Sequence, residues 1–87
     1  MKMYVVKMSS VGNPDFGEDP KKSLSPKINM PCKSLKECSM HCLKYISMFN
    51  LGAGNWTGGQ VQVDGCQVAR ISFNGRVWDM GENEIEI

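Results

Sequence analysis

Nothing in the chain approaches the roughly 20 consecutive apolar residues that cross a bilayer, so no membrane association is expected. The opening stretch Met1-Lys2-Met3-Tyr4-Val5-Val6-Lys7 has an apolar run too short for a signal-peptide core. A cytoplasmic protein with reduced cysteines is the expectation. Charge is also scarce in net terms, at +1, which argues against strong nonspecific attraction to nucleic acid or anionic lipid. There is a single histidine and no Cys-x₂-Cys pair of the kind that structural zinc usually takes. No Ser or Cys stands in a strand-turn-helix elbow, and the glycine-rich stretch 52–59 lacks the Lys-Ser/Thr of a phosphate loop. These gaps point away from an enzyme, and no cofactor is expected.

What is present fits one small domain over residues 1–87. Such a chain should fold to about 5,000 Å² of accessible surface, leaving one modest core. Residues 2–9 read as a strand, with Tyr4, Val6 and Met8 on one face and Met3 and Val5 on the other; apolar residues on both faces suggest a strand inside the sheet. Residues 10–33 hold all four prolines and read as a long Pro-rich loop, because proline excludes helix interiors and most ladder positions.

The sharpest local signal is Ser34-Leu35-Lys36-Glu37, a capping box in which the Ser34 hydroxyl accepts from the N–H of Glu37 and the Glu37 carboxylate reaches back to that of Ser34. Leu35, Cys38, Cys42, Ile46 and Phe49 then recur at helical spacing, with Tyr45 beside them. The spacing predicts a helix over 35–50, with Gly52 free to take the left-handed conformation beyond it.

Two turn signals, Asp64-Gly65 and Asn74-Gly75, organise the last third as an antiparallel meander. A two-residue turn at Asn74-Gly75 pairs Ile71 with Trp78 and Arg70 with Asp79. Ala69, Ile71, Phe73 and Trp78 then share one face, opposite Arg70, Ser72 and Asp79. At Asp64-Gly65 a two-residue loop would leave apolar side chains on both faces. An odd, bulged loop instead brings Val61 to the face of Ala69 and Ile71. Residues 80–87 either add a short strand whose glutamates blunt the edge or fray. The expected class is α+β: one helix on an antiparallel sheet of about four strands, ordered β-α-β-β-β.

Cys32, Cys38, Cys42 and Cys66, with His41, are the metal-capable set. Cys38 and Cys42 lie on the apolar stripe, where cysteine behaves as a small hydrophobe; a shared metal or a disulfide in an oxidising compartment are the competing readings. His41 stands four residues from Glu37, a surface i,i+4 pair. Candidate contact residues lie elsewhere. Met40, Lys44 and Met48 recur on the helix face away from the stripe, and methionine is adaptable contact surface. Lys21, Lys22 and Lys27 are the exposed charge of the loop. Trp56 reads either as a lid folded on the core or as a binding anchor, and Arg70 lies on the polar face of the meander.

The run Ser34-Leu35-x-x-Cys38, then Gly59-x-Val61, Val68-Ala69 and Asn74-Gly75-x-x-Trp78-Asp79, after the strand Tyr4-Val5-Val6, resembles the small phage-encoded anti-CRISPR proteins, most of all a type I-F inhibitor with one helix on an antiparallel sheet. The resemblance covers about half the chain, and residues 10–33 depart from it. It implies a non-catalytic inhibitor that binds a CRISPR–Cas effector complex as its protein partner and blocks target DNA access or nuclease recruitment. The alternative is a small nucleic-acid-associated or regulatory binding module of phage or bacterial origin.

Overall fold

The computed structural model describes residues 3–23 and 25–87; the expected strand start at Lys2 lies outside them. Six strands and one α-helix follow in chain order: β1 (Tyr4–Met8), β2 (Ile28–Cys32), α1 (Leu35–Met48), β3 (Gln60–Val63), β4 (Cys66–Ile71), β5 (Val77–Asp79) and β6 (Glu84–Ile85). They form one sheet in the order β2-β1-β3-β4-β5-β6, antiparallel throughout. The fold is α+β with one helix on an antiparallel sheet. The expected four-strand count is corrected to six, and the order becomes β-β-α-β-β-β-β.

The largest correction is β2, inside the region read as a Pro-rich loop. Pro31 pairs with Val5 in the ladder. It is tolerated because β2 is an edge strand, where a missing N–H can face away from the neighbour. β1 lies between β2 and β3, as its two partly apolar faces suggested. β2 and β3 both run opposite to β1, so α1 joins two parallel strands across it.

α1 packs on β1 and β2 and reaches β4. Cys38, Cys42, Tyr45 and Ile46 are buried from its stripe, beneath them Val6, Met8, Val61, Ala69, Ile71 and Val77. The N-cap forms as expected, with Glu37 N–H donating to Ser34 Oγ at 3.1 Å. The Glu37 carboxylate, however, accepts from the N–H of Lys33 rather than Ser34. At the other end Asn50, not Gly52, takes the left-handed conformation (φ 52°). Leu51 N–H bonds the Ile46 carbonyl and Asn50 N–H that of Ser47, the paired closure of a Schellman motif.

Both hairpins differ from expectation in one residue each. Asp64 (φ 52°) and Gly65 (φ 82°) make a two-residue turn with Val63 opposite Cys66. The odd residue sits further on: Val61 pairs with Ala69 but Gln62 with Gln67, leaving Val68 as a bulge. Val61 reaches the Ala69 face by this bulge within the strand, not by an odd loop. At the next turn Ser72 N–H bonds the Arg76 carbonyl and Gly75 has φ 84°. The loop is therefore three residues, Phe73-Asn74-Gly75. This shifts β5 by one, so Ile71 faces Val77, Arg70 faces Trp78 and Ala69 faces Asp79. Val77 is in the core, and Trp78 stands on the opposite face.

The segment between β1 and β2 is tied down by buried hydroxyls. Tyr45 OH donates to the Pro26 carbonyl (2.6 Å) and meets Ser25 Oγ (2.5 Å), which meets Ser10 Oγ (2.5 Å). Asn55, within the glycine-rich stretch 52–59, is 8% exposed. It donates to the Val11 carbonyl and Glu18, and accepts from Gly52 N–H.

Three expectations follow. Ser34→Ala should cost about 1 kcal/mol and lower the melting temperature by roughly 4–8 °C, read by circular dichroism. Gly59→Ala should be far worse, because Gly59 has φ 93° and an added Cβ would collide with the Ile71 carbonyl. In the β5–β6 turn, Asp79 Oδ1 accepts from the N–H groups of Asn83 and Gly81. The Asn83 bond first, then Gly81, holds this carboxyl below its usual value. A lowered carboxyl pKa means that its support is complete above the ordinary value of about 3.9 and fades as pH falls through the lowered one. Amide chemical shifts of Gly81 and Asn83, titrated with acid, should move below that ordinary range.

Candidate functional site

Three turns of α1 place Met40, Lys44 and Met48 on the side away from the core, because steps of four advance only about 40° around a helix. Met40 is 61% and Met48 64% exposed, and Leu43 on the neighbouring row is 44% exposed. Leu43 is partly anchored: its side chain lies close enough to Gly75 that any Cβ there would strike it. Ser39 fixes the same flank by donating to the Gly75 carbonyl at 2.6 Å. The helix is thus held rigidly by one flank while its outer row stays open.

On the other flank, toward β2, a groove of about 170 Å³ runs between helix and sheet. Met8, Ile28 and Met30 form its floor, and His41, Lys44, Tyr45 and Met48 its wall. The His41 ring is held toward Glu37, Nε2 to Oε1 3.6 Å. Sequence reading missed this groove because Ile28 and Met30 of its floor belong to β2, which was read as loop.

The open face of the sheet carries a different chemistry. One row, Asn29, Lys7, Gln60, Arg70, Trp78 and Glu84, crosses all six strands through successive paired positions. Arg70 lies 5.3 Å from the Trp78 ring centroid and 2.9 Å from Glu82. The expected Arg70–Asp79 pair is therefore replaced, since the one-residue shift puts Trp78 opposite Arg70.

The sequence-derived contact residues divide among separate places. Met40, Lys44 and Met48 share the outer helix face. Lys27 joins Lys7, Asn29 and Gln60 around a hollow on the open face. Trp56 and Arg70 border another hollow with Gln67 and Phe73. Trp56 is half-buried, its Nε1 donating to the Ile71 carbonyl at 3.1 Å and its ring 6.0 Å from that of Tyr45, so its indole is folded back on the core. Lys21 and Lys22 are exposed in the turn after Asp19, whose carboxylate accepts from Lys21 N–H.

Three of the cysteines belong to the core: Cys32, Cys38 and Cys42 are each at most 1% exposed, while Cys66 is exposed. Burial pushes the Cys32 and Cys38 thiols up, Cys38 further through its contact with Cys32, and raises Cys42 to about 12. Thiols held protonated in apolar surroundings are poor nucleophiles. Among the described residues, no group of three His, Cys, Asp or Glu is placed to hold a metal ion, and no helix is long and apolar enough to cross a membrane.

Comparison with protein-family models, curated proteins and solved structures finds no match to the chain.

An aromatic disulfide reagent at neutral pH should label Cys66 rapidly and the other three thiols only after denaturant is added. Fast labelling of Cys32, Cys38 or Cys42 in the folded protein would contradict the packing described.

Proposed function

We propose that this protein acts by binding rather than by catalysis, as a stoichiometric inhibitor that covers a surface of a bacterial defence complex. The observation that carries the reading is the outer face of α1, where Met40, Leu43 and Met48 stand exposed around Lys44 within nine residues of a rigidly anchored helix. Methionine-rich surface adapts to a partner at low cost, and an anchored helix loses little freedom when bound. A standard interface needs about 800 Å² from each partner, a modest share of the 5585 Å² this molecule presents.

The chemistry of the remaining side chains supports binding over catalysis. The buried thiols are held protonated, and the His41 ring is turned to Glu37. The target class, a CRISPR–Cas effector complex in a phage-infected cell, comes from the resemblance of Ser34–Asp79 to the phage inhibitors. Lys44 then supplies a cation at the centre of the contact, suited to an acidic effector surface or to nucleic acid held on it.

Titration of a purified type I-F effector with the protein should abolish target-DNA binding or cleavage at a fixed, near-equimolar ratio. Met40→Glu/Met48→Glu should keep its circular dichroism spectrum and weaken inhibition by about tenfold or more, as loss of contact residues at about 1–2 kcal/mol implies. Undiminished inhibition by this folded variant removes the helix face from the interface. Absence of inhibition by the wild-type protein removes the target.

A further inference from the structure

The two margins of the sheet are complementary to each other. β2 and β6 are its two edge strands, and unpaired edges are templates for another chain. At β2, Pro31 cannot donate to β1, so its pair with Val5 is a position without ladder bonds. By alternation, the backbone groups of Lys27, Asn29 and Pro31 face outward. The bond from Gly59 N–H to the Lys7 carbonyl agrees, since it turns Lys7, the partner of Asn29, toward β3. At β6, Asp79 N–H donates to the Asn83 carbonyl. Asn83 and Ile85 therefore bond inward, and the backbone of Glu84 and Glu86 faces out.

Side chains match as well as backbones. The β2 margin presents Lys7 and Lys27 on the open face and the apolar groove over Ile28 and Met30 on the helix face. The β6 margin presents Glu84 in the open-face row, opposite Trp78, and Ile85 on the helix side, opposite Val77. The following pair repeats the pattern as Glu86-Ile87, and Ile87 is 52% exposed.

Direction also agrees. Six strands alternate along the sheet, so a simple shift of one copy along it sets its β2 antiparallel to the β6 of the next. Both helices stay on the same side.

We propose that the β6 margin of one copy adds to the β2 edge of a second copy, extending the sheet head to tail. Glu84 pairs with Asn29 and Glu86 with Lys27, the two positions where both backbones face outward with their donors intact. Ile85 falls opposite Ile28, at the apolar groove. The contact is heterologous, joining two different surfaces, and so continues from copy to copy. It goes beyond the inhibitor reading; the groove shares Lys44 and Met48 with the outer helix face, and Met40 is left uncovered.

Sedimentation velocity of the wild-type protein over a concentration series should show reversible growth beyond the monomer that weakens as salt rises. Lys7→Glu/Lys27→Glu and Glu84→Lys/Glu86→Lys, all at exposed side chains, should each keep the wild-type circular dichroism spectrum. Each should raise the self-association constant for dissociation by about tenfold or more. An equal mixture of the two should assemble again, because each then meets an edge of opposite sign. A wild-type protein that stays monomeric into the millimolar range overturns the proposal. So do variants that assemble like the wild type, or a mixture that stays monomeric. Met40→Glu should leave the assembly intact, which separates this result from the inhibition assay.

Discussion

A proline without a proton to give organises much of this molecule. Pro31 can occupy a ladder only where its nitrogen faces no neighbour, which confines β2 to the margin of the sheet. With β2 at the margin, β1 is enclosed between β2 and β3, and α1 must cross β1 to join two parallel strands. That crossing brings the helix stripe onto Val6 and Met8 and leaves its β2 flank incompletely covered. The groove, the buried thiols beside Cys32 and the orientation of the free edge all follow from that placement.

The parts of this fold that were legible in the sequence are those decided within a few residues. The Ser34 cap, the helical period and the exposed Met40/Lys44/Met48 row are local, and each appears where the spacing puts it. β2 was illegible because Ile28-Asn29-Met30-Pro31-Cys32, although its apolar residues alternate with Asn29 and Pro31, is only five residues long and carries a strand breaker; an edge position cancels that penalty, and edges are not local facts. The meander shows the same limit at single-residue scale. A two-residue turn at Asn74-Gly75 and a three-residue one ending at Gly75 use the same residues, and the second wins because Val77 then fills the core. Val61 reaches its proper face because Val68 bulges out, where a bulged loop at Gly65 would have served equally.

Candidate contact residues fared according to the same rule. Those on one helix stayed together, whereas those collected from loop, turn and strand were dispersed over the sheet and its hollows. Asn55 passed unnoticed: its side chain joins Val11, Glu18 and Gly52, partners that are distant in sequence or lie across a turn. An amide with its donor and acceptor both engaged can hold a segment that buries little apolar surface. The region between β1 and β2 is held by this amide and by the Tyr45 hydroxyl chain more than by packing.

The pairing of Val6 with Val61 has a consequence for how the chain assembles. β1 is made before its inner partner, which appears only after the helix and the glycine-rich connection have been made. Until then β1 can pair with β2 alone, as a hairpin whose inner margin is bare. Closing so long a loop is the slow step expected for contacts remote in sequence, and the helix, already capped and crossing above, limits where β3 can land. The nascent protein thus passes through a stage in which an interior strand is an edge, a role the finished sheet gives to β2 and β6.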